Sequence, residues 1–220
     1  MKSLRQMLLA VLTVTAAAIF LAGCQANAPE STSWEDAIVD GIEPTEPKEE
    51  EKKQKTESEA LYDYFAMTFY GGSDRLYNAA PEDYWTYLAE NGSFTFEQAK
   101  EYVDAYAAET VENLKDTLGY NFALKFRTGK VTDADEEVQS QIITAIASNS
   151  GLDAEKATKV VHVEFFLSYG GPVHEMYMYM LCYDGNWYPV LETVKNDTSL
   201  YSLAVEQDLQ NLYNMAKEDS

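Results

Sequence analysis

Cysteine is nearly absent from this chain, with two in 220 residues. At most one disulfide can form, and a cysteine-built zinc cluster is excluded because it needs ligands the chain lacks. Basic residues are also scarce. Sixteen Lys and Arg face thirty-seven Asp and Glu, a formal net charge of −21 with a pI near 4.3. Sequence-independent binding to nucleic-acid phosphates or to an anionic membrane surface is therefore electrostatically disfavoured. There is no glycine-rich phosphate loop, no Gly-x-Ser-x-Gly elbow and no His-Glu-x-x-His. A two-lobed solute receptor would need more length and an alternating strand-helix pattern. What is present is a 46% hydrophobic fraction, enough over 220 residues for one core of ordinary size.

The chain has one long apolar run, at residues 7–21, preceded by Lys2 and Arg5 and followed by Ala22 and Gly23. A positive start, an apolar core and small residues make a secretory signal. The run is shorter than the roughly 20 residues a spanning helix prefers. Leu21-Ala22-Gly23-Cys24 resembles the lipobox of bacterial lipoproteins. That resemblance implies a diacylglyceryl group on the Cys24 thiol and cleavage before it, so residues 1–23 are a signal peptide and Cys24 is the mature N-terminus. Two acyl chains suffice for stable anchoring, and the expected location is the extracytoplasmic face of a cell membrane. Loss of Lys2 and Arg5 leaves fourteen bases against thirty-seven acids, a net of −23, so the anchor works without basic help.

Residues 24–58 carry three prolines, the Glu49-Glu50-Glu51 run and Lys52, Lys53 and Lys55, with no sustained apolar period. This composition predicts a disordered acidic tether, with an r.m.s. reach of about 30 Å for a flexible coil of this length. Trp34, Ile38 and Ile42 form the one apolar trio at helical spacing within it.

A folded domain is expected over 59–220. Leu61, Tyr64, Phe65 and Phe69 keep helical spacing up to Gly71-Gly72, and Pro81 opens a second helix through Tyr84, Trp85 and Leu88. Thr95 and Gln98 form a capping box ahead of a stripe from Phe96 to Leu118. Period two then sets in over 122–127, and Thr132-Asp133 opens a helix that Gly151 closes. Three strands at 157–169, 173–183 and 186–192 follow, joined by Gly170-Gly171 and Asp184-Gly185. A last helix is expected on Tyr201, Val205, Leu209, Leu212 and Ala216. The plan is α+β: N-terminal helices packed in a curved antiparallel sheet of about four strands, with a helical insertion after the first strand and a C-terminal helix.

This order, with Val131-Thr132-Asp133 and the closing Tyr183-Asp184-Gly185-Asn186-Trp187-Tyr188, resembles the nuclear-transport-factor-two-like, or cystatin-like, domain of small bacterial lipoproteins. The resemblance covers residues 59 to about 195 and implies a cone-shaped sheet. Some members of that fold are isomerases or dehydratases that work with Asp, His or Tyr inside the cone. His162 falls on the more exposed parity of its strand, whereas His174 shares parity with Met176, Met178, Met180 and Cys182 and is placed at a pocket rim. No partner for general acid-base work is identifiable in the sequence for His174. Tyr177, Tyr179 and Tyr183 share the opposite face, which needs cover from a helix of the chain, a second copy or a cell-envelope partner.

Asp133 to Glu137 lack the glycine and distant Glu of a calcium loop, so no metal site is expected. Cys182 reads as a small buried apolar residue. The function expected from these residues is a membrane-anchored binding or protein-interaction module with no catalysis and no cofactor. The alternative is a small-molecule binder or enzyme using the cone interior.

Overall fold

The computed structural model describes residues 54–92, 94–118, 123–168 and 172–218. The expectations for Cys24, the signal peptide and nearly all of the tether lie outside them, as do Phe122, Gly119 and the Gly170-Gly171 turn. The compact unit runs from Lys55 to Ser220, and within its described residues it is α+β, with six α-helices and one five-stranded antiparallel sheet.

Four helices come first: α1 (Glu57–Tyr70), α2 (Ser73–Asn78), α3 (Glu82–Asn91) and α4 (Phe96–Leu118). Thr56 caps α1 in a reciprocal box with Glu59, which satisfies amide groups the first turn leaves without carbonyl partners. Gly71 ends it at φ 62°. The capping box at α4 forms as its residues require: the Gln98 amide donates to Thr95 Oγ1 at 3.3 Å, and the Thr95 amide donates to Gln98 Oε1 at 2.9 Å. The short helix α2 has no counterpart in the sequence pattern, because six residues give too few turns for a stripe to show.

The sheet strands are β1 (Lys125–Asp133), β2 (Ala157–Ser168), β3 (His174–Tyr183), β4 (Asn186–Lys195) and β5 (Thr198–Leu203), in that spatial order. Helix α5 (Glu136–Ser150) and a single 3-10 turn (Ala154–Lys156) stand between β1 and β2, and α6 (Ala204–Glu218) closes the chain. Among the described residues there are five strands rather than about four. Thr132 and Asp133 are the end of β1, not the start of the insertion helix, which begins after Asp135. Tyr201 belongs to β5, not to the last helix. Its spacing to Val205 and Leu209 spans a strand-helix junction and only imitates a helical period.

Residues directly opposed across antiparallel strands share a face, so the register sorts the core. Val161 with Met180, Val163 with Met178 and Phe165 with Met176 form one face. Phe165 is fully buried and stacks near Phe65 of α1 and Phe126 of β1, with centroids at 5.1 and 5.7 Å. On the other face, Val160 with Leu181, Leu181 with Tyr188, and Val190 with Leu203 are all buried. Helix α5 packs on β5 and β2 with Ile142 and Ile146 buried, and Gln139 Oε1 accepts from the Val160 amide.

Gly151 ends α5 in the left-handed conformation, φ 67° and ψ 20°. A Cβ there would meet the Tyr87 ring at 2.3 Å. Gly151→Ala should therefore cost at least about 1–2 kcal/mol from the backbone alone, seen as a lower midpoint in thermal unfolding. Tyr87→Ala in the same background should recover the steric part of the loss; no recovery would mean the ring does not oppose the new methyl.

Among the described residues no helix is long and apolar enough to cross a membrane.

Candidate binding face

The three tyrosines expected to share one surface divide between two environments. Tyr183, at the end of β3, is buried. Its hydroxyl donates to Asp83 Oδ2 of α3 at 2.5 Å and accepts from the Asp153 amide at 3.1 Å, while Lys156 Nζ donates to the same Asp83 oxygen at 2.6 Å. Lys156 and Tyr183 together hold the Asp83 carboxyl below the usual range, and burial first, then Asp83, pushes the Tyr183 phenol up to about 12. Tyr183 thus ties α3 to the sheet and presents no surface to a partner.

Tyr177 and Tyr179 lie beyond the reach of that cover. Tyr177 is 52% exposed and Tyr179 half-buried. His162 on β2 is directly opposite Tyr179, and its ring lies 4.8 Å from that ring and 5.4 Å from Tyr177, nearly parallel to the latter at 12°. Tyr201 of β5 is buried and backs the row, its ring edge-on to Tyr179 at 6.0 Å. The result is an aromatic strip running across β2 and β3 and backed by β5.

Carboxylates frame it. Glu175 accepts from the Tyr177 hydroxyl. Glu192 accepts from Ser199 Oγ at 2.6 Å and from the Tyr201 hydroxyl at 3.4 Å. Glu164 accepts from the Lys130 amide at 2.9 Å, at the irregularity in β1 between Thr128 and Val131. At the far end the Arg127 guanidinium lies over the Phe166 ring at 4.3 Å.

The electrostatics keep the strip uncharged apart from its acids. Burial lowers the His162 pKa against an opposing pull from Glu192, so the imidazole is neutral near pH 7. The hydrogen bond to Glu175 pushes the Tyr177 phenol up to about 12, and burial raises Tyr179 and Tyr201. The Tyr177 and Tyr179 rings, a neutral imidazole and the carboxylates are suited to recognition: apolar faces for contact and carboxylate oxygens to accept.

The sheet also forks beside this strip. Strand β3 pairs with β2 along its whole length, from His174 to Tyr183, but with β4 only over Tyr179–Tyr183. Residues Leu191–Lys195 of β4 pair with β5 instead. Among the described residues, Glu175–Met178 therefore have a strand neighbour on the β2 side only.

His174 sits at the start of β3 on the methionine face, opposite Leu167 and half-buried. Two surface depressions, one lined by Lys55, Asp63, Asp74 and Arg75 among others and one by Asp83, Thr86, Tyr87, Glu90 and Gly151, do not include it. Between the sheet and the helices the volume is filled by Leu61, Met67, Phe165 and Met180, each at most 1% exposed. Cys182 is a half-buried free thiol. Among the described residues no group of three His, Cys, Asp or Glu is placed to hold a metal ion.

Sequence parity alone did not bring His162, Glu192 and Tyr201 to this face as functional residues. His162 reads as a surface histidine, Glu192 is the last residue of an expected strand with no partner on β5 in view, and Tyr201 is assigned to the last helix. The signal that would have found them is Asn196-Asp197, which adopts φ 50° and 59°, the two positive values that a tight hairpin turn demands. Comparison with known proteins finds no matching family model, no matching curated protein and no matching solved structure.

Proposed function

We propose that this protein is a lipid-anchored, extracytoplasmic binding module, held in the membrane by acylated Cys24, which presents the aromatic strip of His162, Tyr177 and Tyr179, backed by buried Tyr201, to a partner in the cell envelope. The observation that carries the binding role is the division of the tyrosine face. Tyr183 is buried against Asp83 of α3, whereas Tyr177 stands half in solvent beside stacked His162 and the acids Glu175 and Glu192. Aromatic rings with a polar tip are enriched where one surface must meet another. The filled interior, with Phe165 and Met180 where a ligand of a cone-shaped fold would sit, favours this reading over chemistry inside the sheet. A cystatin-like cone is the finer description of the fold that we attach to it, on the strength of a helix-backed antiparallel meander. The anchor rests on Leu21-Ala22-Gly23-Cys24.

The anchor has a direct test. Cys24→Ser should abolish incorporation of labelled fatty acid and release the protein or leave it unprocessed; equal labelling of the wild type and the variant would refute lipidation. The face is tested by placing a photoactivatable side chain at position 177, and in a control at exposed Tyr70 of α1, in cells that make the lipidated protein. Discrete adducts from position 177 and none from position 70 are expected. No adduct from 177, or the same adducts from both, would overturn the binding role.

A further inference from the structure

Resting on that reading of the face, we infer that its occupant is an extended, basic polypeptide segment of a partner, which adds as a strand to the free side of β3 at Glu175–Met178. The backbone makes the first part of the argument. A strand with a neighbour on one side only presents amide and carbonyl groups for another chain to pair with, and β3 is in that condition from Glu175 to Met178, where β4 has turned away to β5. Four residues at strand rise span about 13 Å, room for a short recognition segment and not for a whole sheet.

Charge makes the second part. Glu164, Glu175 and Glu192 are the acids of this face, opposite in sign to a Lys- or Arg-bearing segment, and the Arg127 guanidinium is set over Phe166 at the β1 side, on the far side of β2 from the fork. Thirty-seven acids against sixteen bases extend the same sign over the whole chain, which speeds encounter with a cation and opposes an acidic partner. The exposed Tyr177 ring offers a face to a cationic side chain, an interaction that adds to the carboxylates. Side chains alternate along an added strand, so every second residue would lie over Tyr177 and Tyr179 while its neighbours point to the methionine side.

The test uses the full chain and two synthetic peptides, (Lys-Thr)4 and (Glu-Thr)4, with calorimetry for binding and hydrogen exchange read by mass spectrometry for the edge. The basic peptide should bind, weaken tenfold or more between low and high salt, and slow exchange at Glu175–Met178; the acidic peptide should not bind. Glu175→Lys with Glu192→Lys should cut affinity at least tenfold. Glu192→Gln, which retains a carbonyl acceptor for Ser199, should give a smaller loss in the same direction should the double reversal fail to fold. Equal binding of both peptides, binding that leaves exchange at Glu175–Met178 unchanged, or no binding of the basic peptide would each overturn the inference. Adducts from position 177 in cells together with no binding of the basic peptide would remove the cationic occupant and leave the binding module standing. The absence of both would remove the two together.

Discussion

Phe165→Ala is expected to cost about 3–5 kcal/mol of folding stability, the range for removing a buried aromatic ring from a packed core. Phe165 has no exposed surface, and its ring neighbours come from two different elements, Phe65 of α1 and Phe126 of β1. The cavity cannot close without moving a helix against the sheet. Tyr177→Ala, twelve positions on in the same sheet, is expected to cost less than about 1 kcal/mol, because an exposed ring gives up little on removal. Urea denaturation of both variants measures the contrast. A small loss for Phe165→Ala would mean that the sheet and α1 are not packed as one core. A large loss for Tyr177→Ala would mean that the strip holds the fold together and is not held ready for a partner.

The second large effect depends on pH. Asp208 of α6 accepts a hydrogen bond from the Tyr64 hydroxyl of α1 at 2.7 Å. No cation pairs with it among the described salt bridges, and burial raises its carboxyl to about 6 against the tyrosine's opposing pull. In the unfolded chain the group titrates near 4. Between these values the folded protein binds the extra proton, so stability falls as pH rises from about 4 through 6. At 1.4 kcal/mol per pH unit, the loss by neutral pH approaches about 3 kcal/mol.

Other groups titrate in the same range. Glu206, raised by burial, adds to the fall, and His162, lowered by burial, opposes it. Asp208→Asn isolates the one carboxyl, since the amide oxygen still accepts from Tyr64. The variant should be more stable than wild type at pH 7.5, by up to that amount, and nearly equal to it at pH 4, with urea titrations at the two values as the measurement. A gap that does not change with pH would show that Asp208 is not the titrating group.

Local chemistry made much of the architecture legible. Gly71-Gly72, the Thr95 to Gln98 box, Gly151 and Asp184-Gly185 each mark the end, start or turn that the structure places there. Each marker works within a few residues, where capping and left-handed backbone leave little choice. The methionine face was also readable, because period two fixes which residues of β3 look the same way. Strand β5 was lost because Tyr201, Val205 and Leu209 happen to fall four apart across its junction with α6.

The binding face was legible only in part for a different reason. Parity put Tyr177, Tyr179 and Tyr183 on one side, but parity says nothing about where a neighbouring helix stops. That boundary is set by α3 reaching Tyr183 and by β4 parting from β3 beyond Tyr179, both of which are long-range contacts. His162 entered the strip for the same reason, through a cross-strand partner that its own sequence neighbours do not reveal.

Radical footprinting reads whether one half of the tyrosine face is covered by a partner. The lipidated protein on intact cells and the purified chain in solution are oxidised in parallel, and modification is compared at Tyr177 and His162 and, as exposed controls on the helices, at Tyr62, Tyr70 and Tyr77. Protection on cells that is confined to Tyr177 and His162 is the expected result. Equal oxidation of Tyr177 in both states, or protection spread evenly over the controls, would contradict it.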